Sequence, residues 1–297
     1  MPQLVGGAFR IGRVLGVDVF LHWSWLFVAL IELETRKNHY SSQAWNVAEY
    51  LTLFLVVFAH EMGHALACRS VGGRADRIVL WPLGGVAYVQ PPARPGALLW
   101  SIAAGPLVNL LLAVGSAPFV FFAAATLPPD ASRFAVAFLL INVALLVFNM
   151  LPIYPLDGGK ITQALLWFFV GRARSLNIVA TLGVAAAVAL FPIAVAKGSI
   201  WFAVVAVYAG MRAFAGMQQA KILRQLADAP RRDGFACPRC KAPPPMAALW
   251  SCACKERFDT FATGGRCPKC ARSFANTSCT ECGQASPHAS FYPATPS

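Results

Sequence analysis

The sequence predicts a mainly α polytopic membrane protein. About six transmembrane helices, a small membrane-associated β hairpin and a small cysteine-rich C-terminal region are expected. Three observations carry that expectation. Hydrophobic residues make up 57% of the 297-residue chain and Asp, Glu, Lys and Arg only 13%, against roughly 45–50% and 25% in soluble domains. The apolar residues arrive in long blocks. Eight of the nine cysteines fall between Cys237 and Cys282.

Taken in order, the apolar blocks give expected spans at 19–34, 47–68, 98–126, 133–151, 176–196 and 199–216. The last five are near the roughly 20 residues that cross hydrocarbon. The first is crowded by Asp18, Glu32 and Glu34, so four or five spans are the alternatives to six. Arg10 and Arg13 precede it and no small-residue cleavage site follows, which reads as an uncleaved helix. The stretch IVLWPLGGVAYVQPP, residues 78–92, flanks Gly84-Gly85 with apolar and β-branched residues and stops at Pro91-Pro92. It reads as an interfacial hairpin, or as a strand edge along which an extended substrate hydrogen-bonds. The expected division is a membrane domain over 1–216, a linker or surface helix over 217–232, a cysteine-rich region over 233–285 and a disordered tail over 286–297.

Charge sets the expected orientation. The net charge is +12, but its distribution says more than its total. Arg10, Arg13, Arg69, Arg74, Arg77, Arg94, Lys160, Arg172, Arg174, Arg212, Lys221 and Arg224 fall on one side of the spans. Arg36, Lys37, Arg133 and Lys197 fall on the other, partly offset by Glu32, Glu34 and Asp130. The positive-inside rule then places both termini in the cytoplasm, with the lipid bilayer and its anionic headgroups as a sufficient partner for the basic charge.

Within the second span stands FLVVFAHEMGHALACRS, residues 54–70. Ionisable groups at such depth are costly and usually functional. His60-Glu61-Met62-Gly63-His64 matches HExxH: histidines four apart share a helix face and can grip one metal, with Glu61 beside them as general base for the attacking water. The plainer reading is a pair of helix-packing histidines with a buried carboxylate. A catalytic zinc site usually has three protein ligands. His22 sits among interfacial aromatics, His39 and His288 lie in polar segments, and Cys68 is a turn beyond His64 at a poor axial distance.

Asp157 is the strongest third candidate. It stands in VFNMLPIYPLDGGKI, where Pro152 and Pro155 interrupt helical bonding and Gly158-Gly159 permits close backbone approach. The alternative is a helix cap or loop acid exposed at the membrane surface. His64 lies about 6 Å and His60 about 12 Å from the expected end of their helix, and Asp157 arrives from the same side. Asn149, eight residues earlier, caps a broken helix or donates to a substrate carbonyl. Gly105 and Asn109 in AAGPLVNLL read as packing residues more than catalytic ones.

On these residues the chain resembles the site-2 protease family of zinc intramembrane metalloproteases, peptidase family M50. His60-Glu61-x-x-His64 matches its metal motif, and Asn149-x-x-Pro152 followed by Leu156-Asp157-Gly158 matches its second motif. Gly105-x-x-x-Asn109, the PLGGV segment and RIGRVLGVDVFLHWSW resemble further parts, over roughly residues 10–216. The resemblance implies one catalytic zinc on His60, His64 and Asp157, Glu61 as base, Asn149 holding substrate, and a transmembrane protein as substrate. A prokaryotic cell membrane is the expected setting. Neither an inserted PDZ-like domain nor a paired CBS-type tail is visible, which puts regulation and substrate selection outside the resemblance. The rival class is a non-enzymatic membrane scaffold or metal-sensing protein with a vestigial site. A soluble HExxH peptidase with an open cleft is a weaker alternative.

The tail carries CPRC, CAC, CPKC and CTEC. Cys237 and Cys240 can join Cys252 and Cys254, and Cys267 and Cys270 can join Cys279 and Cys282, or the pairs can cross. Such knuckles fit tetrahedral sulfur sites, so two structural zinc ions in a zinc-ribbon-like region are expected; disulfides are disfavoured on a cytoplasmic side. Basic residues including Arg239, Lys241 and Lys269 are diluted by Glu256, Asp259 and Glu281, and no aromatic array suits base stacking. A cytoplasmic protein partner is therefore preferred to nucleic acid.

Overall fold

The structure, a computed structural model, describes residues 7–81 and 86–292. It opens with two strands, β1 (Ala8–Val14) and β2 (Val17–His22), then a short helix α1 (Trp25–Thr35). The long helix α2 (Gln43–Ser70) leads into β3 (Arg74–Leu80) and β4 (Val86–Gln90). Helices α3 (Pro95–Phe122), α4 (Pro129–Met150), α5 (Asp157–Val170), α6 (Arg172–Ala196) and α7 (Ile200–Asp228) complete the apolar region.

Among the described residues five helices are long and apolar enough to cross a membrane: α2, α3, α4, α6 and α7. The first of the six expected spans differs. Its opening residues are drawn into β2, and α1 keeps 11 residues, about 16 Å at 1.5 Å per residue. The alternation Val17, Val19 against Asp18 and Phe20 is a strand period, and the apolar run had hidden it.

The expected hairpin is half of a larger sheet with strand order β1-β2-β3-β4. β1 and β2 are antiparallel through a turn at Leu15 and Gly16, both at positive φ, the geometry that suits a two-residue hairpin. β2 and β3 run parallel, and β3 and β4 antiparallel, leaving β4 at an edge. Gly84-Gly85 lies outside the described residues. The sheet buries Val17, Val19, Ile78 and Leu80 against Val57, Met62, Ala65 and Cys68 of α2. The inner half of α2 is thus clamped between sheet and bundle, and that half holds the HExxH turn.

Proline and glycine set the other boundaries. Pro95 and Pro129 sit in the first turns of α3 and α4, where a missing N–H costs nothing. Between α4 and α5 the chain turns back sharply: a Cβ at Gly158 would collide with the carbonyls of Met150 and Leu151. That reversal makes Asp157 the first residue of α5.

After α7 come four short strands, β5 (Trp250–Ser251), β6 (Arg257–Phe258), β7 (Asn276–Ser278) and β8 (Ala285–Pro287), and a 3-10 turn over His288–Phe291. Residues 286–292 are therefore not the disordered segment expected: Phe291 is buried with Cys237 and Phe261. The last five residues lie outside the described set. Arg231 bridges to Glu281 at 2.9 Å and pairs in a β-bridge with Pro245, joining the end of α7 to the cysteine region.

Candidate metal centre

α2 continues to Ser70, so His64 and His60 lie about 9 and 15 Å from its end. Both, with Glu61, are buried in the bundle. Opposite them α3 crosses at a pair of glycines. A Cβ on Gly63 would sit 2.8 Å from the Ala104 carbonyl, and one on Gly105 would collide with the His64 ring and sit 2.8 Å from His60 Nε2. Gly105 is therefore the floor of the centre, beyond the helix-approach role expected of it.

Asp157 reaches the same point from the start of α5, where the helix dipole favours a carboxylate. Its Oδ2 lies 3.1 Å from His60 Nε2 and 3.1 Å from His64 Nε2, and the two Nε2 atoms are 3.1 Å apart. At 6% exposure Asp157 is no surface acid. Tetrahedral zinc with bonds near 2.0–2.1 Å spaces its ligand atoms roughly 3.3 Å apart, so this triangle has the size of a zinc site. Its chemistry agrees. His64 Nδ1 is 2.9 Å from the Ser101 carbonyl, which can only accept, so His64 carries its proton there. Its Nε2 lone pair thus points at a second imidazole nitrogen and a carboxylate. Three such donors converging in a buried space call for a cation.

His60 Nδ1 faces Asn109 Oδ1 at 2.6 Å, and Lys160 Nζ stands 3.7 Å from Asp157 Oδ1. Asn109 is thus a partner of a candidate ligand, more than a packing residue. Ser101, Gly105 and Asn109 are spaced by four and share a helix face, a signal present in the sequence; Lys160, one turn after Asp157, gave a weaker one. Glu61 lies within electrostatic reach of His64. Asn149 is half-buried in the last turn of α4. Cys68 approaches the Arg74 carbonyl at 3.4 Å and stands outside the triangle. His22 bonds Ser24, and His288 lies in the tail between Thr277 and Tyr292.

A profile of peptidase family M50 matches residues 48–128 and 116–190, a stretch that contains all three candidate ligands. Over that stretch the chain is similar to peptidase family M50. A zinc metalloprotease of Methanocaldococcus jannaschii is 30% identical over 178 residues, 59% of this chain and 50% of that relative. The protein Rip3 of Mycobacterium tuberculosis is 31% identical over 217 residues, 66% of this chain and 55% of the relative. The chain spans about half the length of the curated relatives it matches. The solved site-2 protease from Methanocaldococcus jannaschii shares the fold, with a TM-score of 0.53 and 23% identity over 71% of this chain and 95% of that one. The chain is an integral membrane protein, and its candidate ligands are buried, unlike the open cleft of a soluble peptidase.

The tail holds two further clusters, and of the arrangements left open the pairs join in a nested order, not the sequential one. Cys237 and Cys240 meet Cys279 and Cys282, while Cys252 and Cys254 meet Cys267 and Cys270. Sulfur separations of 3.4–3.8 Å suit tetrahedral zinc with Zn–S bonds near 2.3 Å, whose sulfurs stand roughly 3.8 Å apart. The nesting follows from aromatic burial. Phe235, Phe261 and Phe291 pack with Cys237 and Cys279, and Ala236 N–H donates to the Phe291 carbonyl at 3.0 Å, closing the ends of the region together. Spacing alone does not encode which pairs meet. One thiol in each set is primed. Burial opposes ionisation of Cys237, but N–H groups of Cys240 and Arg239 bring it down to about 7; the Cys254 N–H does the same for Cys252, also to about 7.

Proposed function

We propose that this chain is an intramembrane zinc endopeptidase that hydrolyses peptide bonds of transmembrane substrates. The observation that carries the reading is the buried triangle of His60 and His64, on the membrane-spanning helix α2, with Asp157 at the start of α5 and Glu61 in the position adjoining His60. Zinc held there supplies the Lewis acidity that activates a water and polarises a carbonyl. Glu61 takes the proton of the attacking water and returns it to the leaving amine. Structural ligation alone does not require that acid, which disfavours the scaffold or metal-sensor alternative. The match to family M50 and the named zinc metalloprotease among the relatives support the same reading.

Substrate handling falls to two features. Asn149, half-buried at the end of α4, offers an amide to a substrate carbonyl. The edge strand β4 offers unpaired backbone groups to an unwound segment. Placing the chemistry in hydrocarbon makes sense if the scissile bond itself lies in or near the membrane. The basic residues flanking the spans support cytoplasmic termini. The tail, on that side, is held by two zinc ions and offers a platform to a protein partner.

The test is cleavage of a single-span substrate by the full chain reconstituted in lipid vesicles, with the cut mapped by mass spectrometry. A zinc-dependent cut inside or at the edge of the span is the expected result. Hydrolysis of soluble peptides with the span left intact would overturn the proposal.

A further inference from the structure

The Asn109 amide raises a question that distance alone does not answer. Turned one way it presents Oδ1 to His60 Nδ1; turned the other way it presents an N–H. The first makes His60 carry its proton on Nδ1 and frees Nε2 for a metal. The second puts the proton on Nε2 and blocks ligation. The next residue in the chain of hydrogen bonds decides between them. Asn109 Nδ2 lies 3.1 Å from Asn142 Oδ1, and Asn142 Nδ2 lies 2.9 Å from the Phe138 carbonyl.

A carbonyl can only accept, so the chain has one polarity. Asn142 must turn its Nδ2 to Phe138 and its Oδ1 to Asn109. Asn109 must then donate, which leaves its Oδ1 for His60 at 2.6 Å. His60 Nδ1 must therefore carry the proton, and its Nε2 lone pair faces His64 and Asp157. Asn109 and Asn142 are both fully buried, so water does not stand in for either. His64 receives the same instruction in one step from the Ser101 carbonyl. We infer that Asn142, on α4 and touching no ligand, is a positioning residue that fixes the tautomer of His60 through Asn109. The inference rests on the proposed role of His60 as a metal ligand.

Helix packing alone would also bury an asparagine pair, since polar contacts between helices are common in membranes. A tautomer readout separates the two. The experiment uses the full chain with ¹⁵N-labelled histidine, the His60 signals being assigned by their loss in His60→Gln. In zinc-depleted parent protein the ring shifts should show the Nδ1–H form. In Asn142→Leu the Nε2–H form should gain population, and zinc titrated onto His60 should bind about tenfold or more weakly. Asn142→Asp should restore both, because an aspartate in either protonation state accepts from Asn109.

Equal loss in the Leu and Asp variants would reduce Asn142 to packing. An unchanged tautomer in Asn142→Leu would overturn the inference outright. A parent protein with His60 in the Nε2–H form overturns it without any variant, so a misfolded Leu variant does not protect it. Failure of the metal-site reading looks different: the His60 shifts would then ignore zinc in the parent, whatever its tautomer.

Discussion

Adding one methyl group at position 105, as Gly105→Ala, places a Cβ 2.8 Å from His60 Nε2 and closer still to the His64 ring. Non-bonded carbon contacts in packed interiors settle near 3.5 Å, so the imidazoles must retreat by at least roughly 0.7 Å. Metal ligation tolerates only about 0.2 Å. Over-packing of this kind costs about 1–3 kcal/mol, and here it falls on the ligated geometry. At 1.4 kcal/mol per tenfold that is about 5- to 150-fold weaker zinc binding. The assay is competition for zinc between the purified full chain and a chelator of known affinity. Gly115→Ala is the control, since a Cβ there meets nothing within 4 Å on the same helix. Parental zinc affinity in Gly105→Ala would refute the assignment of the floor of the site.

Three further sets of substitutions probe other parts. Asp157→Ala should weaken zinc at the membrane site at least tenfold and abolish cleavage; unchanged affinity by the same competition would exclude Asp157 as a ligand. In the tail, Cys237→Ser and Cys282→Ser should each release the same zinc, so the double variant loses one ion where Cys237→Ser with Cys252→Ser loses two. Metal content by mass spectrometry decides, and two ions lost on pairing Cys237 with Cys282 would break the nested assignment. Asn149→Ala should raise KM for a single-span substrate several-fold with zinc content unchanged; a parental KM would remove it from substrate binding.

Much of the bundle was legible because hydrocarbon imposes a length. The apolar blocks behind α2, α3, α4, α6 and α7 could hardly be anything else once each neared 20 residues. The first block misled for the same reason. Apolar content exceeds the information needed to separate a buried strand from a helix, and only the alternation around Asp18 marked β2. In the site, HExxH and Asp157 were readable since costly side chains in an apolar background need partners. Asn109 was undervalued because one amide in one helix does not reveal what faces it from another. Asn142 gave no signal of its own, as its role exists only through Asn109. The tail shows the same limit: the candidate ligands were plain from four close pairs, while their partnering depends on Phe235, Phe261 and Phe291 packing across the region.

The central claim, that Glu61 performs proton transfer beside a zinc it does not hold, has one direct test. Glu61→Gln removes the base and keeps the shape of the side chain, so cleavage of a single-span substrate and membrane-site zinc are measured in the same purified preparation. General acid–base catalysis contributes about 10²–10⁴-fold, and turnover should fall by that order while zinc stays at the parental level. Near-parental turnover with zinc in place would contradict the account, and loss of the zinc from a folded chain would make Glu61 a ligand instead of the base.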